Sequence, residues 1–436
     1  MWMQLKDVSG LIASAACCLI SADVIANESI NTESDWLDDW QIDSALMLYS
    51  EVDRVSALEA VFSFKKDFKD DHIFSGKLVI DSLTGASANG AVSQPNVQTF
   101  TRPSGNAQYT VKANETPLDD TFKDTRVQIN AQWTSPFSAD ITTSFGGQLS
   151  KEYDYLSLSV NGSISWDTNF NNTSYTLGGS YAYDEIEPEG GIPIALTKHY
   201  SDPALFASQA LFDQAYSSTI ATTSSDKQTF DMLFGVTQVW TKRLITLINV
   251  GISKVDGYIT DPFKIVSRVQ SDGYTLDNIN ESRPDSRNKQ SYFMQSKYHF
   301  DWAIFDVSYR YSTDDWEINS HTLESRIHIP SKLTSYWQPH VRIYQQSAAK
   351  FYAPFILSQN ETPNYVSADY RIGDLNAITL GLKYGDKTQA GNPYSIRLEF
   401  YYQTSEDSGN ARPGVLQQQD LYPSVSAIVV QYNYRF

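Results

Sequence analysis

Cysteine is almost missing from the 436 residues: Cys17 and Cys18 are the only two, too few for a disulfide scaffold or a thiolate zinc site. Basic residues are outnumbered, 33 Lys+Arg against 51 Asp+Glu. The resulting formal charge of −18 argues against non-specific nucleic-acid binding, which needs a basic face to displace counterions. Charged residues make up only 19% of the chain while aromatics reach 13%, which excludes a disordered polymer. No segment has the roughly 20 apolar residues that a membrane helix needs, and the mean hydropathy is −0.37. Neither absence excludes a transmembrane barrel, whose strands carry apolar residues only at every second position.

The first residues read as an address. Leu11 to Ile20 is an apolar, small-residue stretch behind Lys6, and Val24 and Ala26 stand three and one residues before a cleavage point after Ala26. The stretch is too short to span a bilayer and suits a secretory signal peptide. Ser14-Ala15-Ala16 ahead of Cys17 lacks the Leu of a lipid-attachment site, which argues against an anchor there. Cleavage removes both cysteines, leaving a thiol-free chain suited to an oxidising periplasm.

The rest of the chain alternates. Between Tyr155 and Trp166, Leu156, Leu158, Val160, Gly162, Ile164 and Trp166 share one parity. Ser157, Ser159, Asn161, Ser163 and Ser165 share the other, so a strand here has one apolar and one hydrophilic face. Val127, Ile129, Ala131 and Trp133 repeat the pattern, as do Phe305, Val307, Tyr309 and Tyr311, and Ile396, Leu398, Phe400 and Tyr402. Ten residues rising about 3.3 Å each at a tilt of about 45° cover roughly 24 Å, the height of the apolar band of an outer-membrane barrel. The final stretch, Ser424 to Phe436, places Ile428, Val430, Tyr432, Tyr434 and Phe436 on one face. Its aromatic ending, Tyr432, Tyr434 and Phe436, resembles the signal read by the barrel-assembly machinery.

This spacing predicts an all-β, transmembrane, antiparallel up-and-down β-barrel of about sixteen strands, with fourteen as the alternative. The candidate strands are 45–53, 55–66, 72–82, 123–134, 137–149, 155–166, 172–184, 227–239, 243–254, 288–299, 301–312, 317–329, 333–346, 364–385, 393–404 and 422–436. The expected organisation is a signal peptide at 1–26, an N-terminal periplasmic segment at 27–43 and the barrel at 44–436. Long connections at 83–122, 185–226, 255–287, 347–363 and 405–421 face outward, and short turns near 135–136, 240–242, 300 and 330–332 face the periplasm. The first hairpin is the weakest element, because Asp53-Arg54 lacks the Gly or Asn of a tight turn.

Several runs are familiar. Asp81-Ser-Leu-Thr-Gly-Ala-Ser-Ala-Asn-Gly-Ala91 resembles the hallmark of a bacterial family of outer-membrane β-barrels known only as a domain of unknown function. Ala88 stands where that motif often has Pro. Phe122-Lys-Asp-Thr-Arg126, Ser150-Lys-Glu-Tyr-Asp-Tyr155, Arg283-Pro-Asp-Ser-Arg287, Tyr309-Arg-Tyr-Ser-Thr-Asp-Asp-Trp316, His321-Thr322 and Tyr344-Gln-Gln-Ser-Ala-Ala-Lys-Phe-Tyr352 extend the likeness over nearly the whole mature chain. The resemblance implies an outer-membrane location in a Gram-negative bacterium and no established activity. It also implies a periplasmic lipoprotein or redox protein as a partner.

Candidate functional residues fall into three groups. On the hydrophilic strand faces, Arg126, Asp306, Arg310, Glu324, Arg326, His328, His340, Arg342, Arg397 and Glu399 are expected to line the lumen, as a charge-selective constriction or as a network stiffening the wall. The motif loop, with Asp81, Thr84, Gly85, Ser87, Asn89 and Gly90, is nearly free of bulk and suits a tight reversal or a close contact inside the barrel. Asp277, Asn278, Asn280, Glu281 and Asp285 offer oxygens to Ca²⁺, although their spacing fits no EF-hand and a solvated acidic loop is the plainer expectation. No G-x-S-x-G or H-E-x-x-H run is present. No catalytic residue, metal or cofactor is expected, beyond the alternative of an embedded hydrolase using His321, His328 or His340. The favoured expectation is a porin-like conduit or export channel embedded in outer-membrane lipid. A structural or docking barrel for a periplasmic redox or lipoprotein system is the alternative, its lumen plugged by polar side chains or by 83–122. Nucleic acid is not an expected partner.

Overall fold

The computed structural model describes residues 40–68, 70–102, 107–406, 411–422 and 424–436. The signal-peptide expectation, 1–26, lies outside them. Sixteen strands close into one antiparallel barrel in sequence order. They are β1 (Trp40–Glu51), β2 (Val55–Phe68), β3 (His72–Ala88), β4 (Leu118–Ser138), β5 (Ile141–Lys151), β6 (Tyr155–Thr168), β7 (Thr173–Ile186) and β8 (Ser225–Thr241). The circuit continues with β9 (Leu244–Gly257), β10 (Ser286–His299), β11 (Ile304–Asp314), β12 (Asn319–Pro330), β13 (Tyr336–Gln346), β14 (Leu375–Lys387), β15 (Pro393–Ser405) and β16 (Val425–Arg435). Strand β1 pairs with β16 from Asp43↔Arg435 to Glu51↔Ala427, and Arg435 Nε donates to Asp43 Oδ1 at 2.7 Å across this seam.

Alternation decides the two faces. Leu46, Leu48, Leu158, Val160, Ile343, Leu380 and Phe400 are all exposed on the outer wall. An apolar exterior this continuous is the surface of a transmembrane-type barrel, where lipid replaces a packed core. Aromatic clusters ring the end that carries the short turns. They include Trp40 with Phe64 at 5.9 Å, Tyr298 with Phe300 at 4.5 Å, Trp337 with Tyr384 at 4.8 Å and Tyr434 with Phe436 at 4.9 Å. Amphipathic rings at this level suit a membrane–water boundary.

Two boundaries and one turn stand out against the sequence expectation. The wall begins at Trp40 rather than at residue 44. The first hairpin forms without Gly because Asp53 itself takes the left-handed conformation, at φ 55°, which Asp tolerates better than most residues. The expected strand 364–385 is too long: β14 starts at Leu375, and the chain before it folds over the barrel mouth, with a 3₁₀ turn at Tyr370–Ile372 capped by the Asp369 side chain.

All long connections emerge at one end, and they fold together. Residues 198–199, 275–280, 265–269 and 355–357 form a four-stranded sheet, and Gln98–Thr101 pairs with Gln108–Val111. The α-helix Gln209–Ser217 is N-capped by Ser208. Contacts between connections lock the assembly. Thr275 N donates to Gln94 Oε1, Thr101 Oγ1 to the Tyr200 carbonyl, Val415 N to the Asp272 carbonyl and Gln419 Nε2 to Asn114 Oδ1. Val266, Val269, Ile372 and Leu416 are fully buried within it. The barrel therefore carries a folded cap with its own hydrophobic core, built from five connections.

Candidate functional site

The lumen wall brings most of the expected charges together. Alternation along β12, β13 and β15 turns Glu324, Arg326, His340, Arg397 and Glu399 inward. His340 is the hub: its Nδ1 lies 2.8 Å from Glu399 Oε1 and its Nε2 lies 3.2 Å from Glu324 Oε1. Arg326 pairs with Glu324, and Arg397 Nη1 stands 3.7 Å from Glu399. Arg342 is on the same wall, opposite Glu324 in the β12–β13 register. Arg310 lies over the Phe293 ring at 4.8 Å, and Asp306 accepts from Gln295 Nε2 at 2.7 Å. Arg126 belongs to a separate group, bonded to Asp81 at 2.7 Å with Glu59 at 3.8 Å. His328 stands apart, with its ring 4.3 Å from that of Tyr336. His321 is on the outer wall, where its Nδ1 meets the Tyr309 hydroxyl at 2.7 Å. The three histidines therefore do not converge.

The motif loop fastens the cap to the wall. Strand β3 stays in the wall through Ala88, pairing Ser87↔Asp119 and Ala88↔Leu118. The chain then turns beneath the cap. Asn89 Nδ2 donates to the Tyr109 hydroxyl at 2.8 Å, and Ile265 N donates to the Asn89 carbonyl at 2.9 Å. Thr84 pairs with Ser56 and Lys123 in the wall. Gly85 and Gly90 have φ of 129° and 96°, and a Cβ would meet the Arg54 carbonyl oxygen at 2.3 Å and the Ile265 carbonyl oxygen at 2.4 Å respectively. Both reasons for glycine, conformation and close approach, apply at each.

The acidic stretch 277–285 is solvated only at its end, where Asp285 is exposed. Asp277 Oδ1 accepts from Arg268 Nε at 2.7 Å, Asn280 meets His199 at 3.3 Å, and Glu281 is 1% exposed. Glu281 joins a buried ion cluster that alternation alone does not reveal, because its members come from two connections without strand periodicity. Arg283 Nη2 donates to Asp369 Oδ2 at 2.9 Å and to Glu281 Oε2 at 3.2 Å. Arg371 Nη2 reaches Asp369 at 2.6 Å and Asp261 at 2.8 Å. Lys264 donates to the Ala88 carbonyl. Three acids thus face three bases. Burial pushes the Asp369 carboxyl up, but Arg371 and Arg283 override it and hold the group well below the usual carboxylate range. Burial wins at Glu281, whose pKa is raised despite Arg283. Desolvation also drives the half-buried His199 ring down to about 4.

Between the cap and strands β3 to β7 lies a cavity of about 420 Å³. Asp124, Glu152 and Asp154 line it, each with an oxygen within 4.8 Å of those of the other two. Sequence reasoning passed over this trio, although the runs Phe122–Arg126 and Ser150–Tyr155 contain all three residues.

The family described as "Protein of unknown function (DUF3570)" matches residues 9–436. The chain belongs to that family. No curated protein matches it. Among solved structures, the chain is similar to a ferric enterobactin receptor of Pseudomonas aeruginosa, at 7% identity and TM-score 0.42, covering 90% of this chain and 59% of that one. It is also similar to a bacterial polysaccharide outer-membrane secretin, at 9% identity and TM-score 0.40, covering 91% and 98%. A monoaromatic hydrocarbon channel matches at 10% identity and TM-score 0.37, covering 91% and 89%. The chain spans about three-fifths of the receptor's length. Likenesses this distant carry no argument about cargo, and the sixteen-strand architecture rests on this chain's own strand pairing.

Proposed function

We propose that this protein is an outer-membrane conduit, closed at rest, whose hydrophilic bore selects polar solutes by charge and whose cap must rearrange for passage. The supporting observation is the ionic belt around His340 on the lumen face, where Glu324 and Glu399 flank one ring. Charges in a membrane-spanning wall face water or one another, and rings of charge select ions and solutes in pores. The ion cluster in the cap supplies a latch, because Arg283 with Asp369 and Arg371 with Asp261 tie two connections together. No reaction is assigned to the barrel.

Planar-bilayer recording tests the reading. The wild-type barrel is expected to conduct rarely. Asp369→Ala removes the carboxylate shared by two buried guanidinium groups, leaving Arg283 only Glu281 and Arg371 only Asp261, and is expected to raise the open fraction. A silent bilayer for both proteins, each inserted and folded, would refute the conduit.

The interlocked cap favours a second reading, a permanently plugged barrel that docks a periplasmic lipoprotein or redox protein. Crosslinking followed by pull-down from outer membranes separates the two, since a stoichiometric periplasmic partner together with silent bilayers supports docking.

A further inference from the structure

The bore carries a surplus of one sign. Strands β11 to β15 turn Arg310, Arg326, Arg342, Lys383 and Arg397 inward, and the two carboxylates of the His340 belt are already engaged. Glu324 pairs with Arg326 and His340, and Glu399 with His340 and Arg397. Asp306 accepts from Gln295 and stands 3.9 Å from Lys297 on β10. Arg310, Arg342 and Lys383 form no ion pair with any described residue. A chain with a formal charge of −18 thus keeps unneutralised cations on its inner wall.

Two of them are placed as a pair. Arg310 and Arg342 each lie six residues from the short-turn end of their strands, Ile304 on β11 and Tyr336 on β13. Only β12 stands between them, and their charges repel one another. The Phe293 ring, 4.8 Å from Arg310 Cζ, and Ser291 Oγ, which accepts from its Nη1 at 3.4 Å, hold the first guanidinium in place. Arg342 is exposed although it points into the barrel, so water in the bore reaches it. A guanidinium presents a planar fork of donors that matches carboxylate and phosphate oxygens. An anion with two or more charges relieves the repulsion of two such groups, which a monovalent ion does less well. Half a circuit away, β5 and β6 turn Ser144, Gln148, Ser157, Ser159, Asn161 and Ser163 inward. That wall offers no carboxylate to compete for the arginines, and a cleft lined by one sign of charge concentrates the opposite sign.

We infer that Arg310 and Arg342 form an anion subsite in the bore, and that the solutes it takes are small multivalent anions bearing carboxylate or phosphate oxygens. Passage of those solutes rests on the conduit reading; their binding does not.

Isothermal titration of the full-length barrel in an uncharged detergent provides the test, with sodium pyrophosphate, sodium succinate and sodium acetate as separate probes. Pyrophosphate or succinate is expected to bind saturably, more weakly as salt rises, with acetate at least about tenfold weaker. Arg310→Gln and Arg342→Gln are each expected to weaken the multivalent anion by about tenfold or more. Lys112→Gln, on the exposed surface of the cap, should leave it unchanged. Circular dichroism confirms that each variant is folded, and Arg342, exposed to the bore, is the substitution that disturbs packing least. No binding of either multivalent anion, acetate binding as tightly as succinate, or unchanged affinity in both folded arginine variants would overturn the subsite. Bilayers separate this result from the conduit. Channels of Asp369→Ala are expected to be anion-selective, and adding Arg310→Gln and Arg342→Gln should move the reversal potential toward cations. Saturable anion binding with silent bilayers would support the subsite and refute the conduit, whereas open channels in a barrel that binds no anion would refute the subsite alone.

Discussion

At Gly90 a single hydrogen separates a seated cap from a displaced one. The residue has φ 96°, and a methyl group would lie 2.4 Å from the Ile265 carbonyl oxygen. Gly391 has a similar φ of 93° but open space around it. Gly391→Ala is therefore expected to lose only the backbone preference, about 1 kcal/mol, whereas Gly90→Ala adds a clash with backbone and loses several-fold more protection of the cap. Hydrogen exchange of residues 265–269 compares the two, and equal protection in both variants would contradict the close approach. His340 makes the corresponding case in the bore. His340→Ala leaves Glu324 and Glu399 without the ring between them, so open channels should become more cation-selective, read as a shift in reversal potential across a KCl gradient. The inward parity of these residues is legible in the alternation of single strands. That His340 touches two carboxylates from β12 and β15 is not, because it depends on the register of three strand pairs.

Among the elements, the four-stranded sheet of the cap carries a titratable weak point. His199 lies on its edge strand, hydrogen-bonded to Asn280. Burial depresses its pKa from 6.5 to about 4, so the folded cap holds it neutral while an opened cap lets it protonate. Cap stability is then full above the unfolded value near 6.5. It falls as pH drops from there to about 4, favouring opening by up to roughly tenfold per pH unit within that window. Proteolysis of the cap connections should accelerate between pH 7 and pH 4.5, and His199→Gln should flatten that dependence. A wild-type rate independent of pH would show that the ring is not desolvated. The last strand is the other telling element. Phe436 N donates to the Ile42 carbonyl at 3.0 Å, and its ring packs edge-on against Tyr434. Removing Phe436 is expected to slow assembly strongly, seen as loss of the heat-modifiable folded band, whereas Phe436→Tyr keeps most of it.

At the scale of the whole molecule, two cores of different origin meet. The barrel turns its apolar residues outward to lipid, and the cap buries Val269 and Leu416 in one apolar cluster, Val266 in a second and Ile372 in a third. A destabilised cap should therefore open while the barrel stays intact. Asp369→Ala should lower cap protection in hydrogen exchange without changing the barrel's β-sheet circular dichroism, and simultaneous loss of both would mean a single cooperative unit. The chain alone was sufficient for the inward and outward faces, the end at which the long connections gather and a strand number of about sixteen, with fourteen left open until the pairing closed the circuit. All three follow from a two-residue period and from the lengths between periodic stretches, which are local properties. It was silent on the cap, on the ion cluster of Asp261, Lys264, Glu281, Arg283, Asp369 and Arg371, and on the meeting of Asp124 with Glu152 and Asp154. Those depend on which connections touch, and aperiodic chain carries no marker of its distant neighbours until packing brings them together.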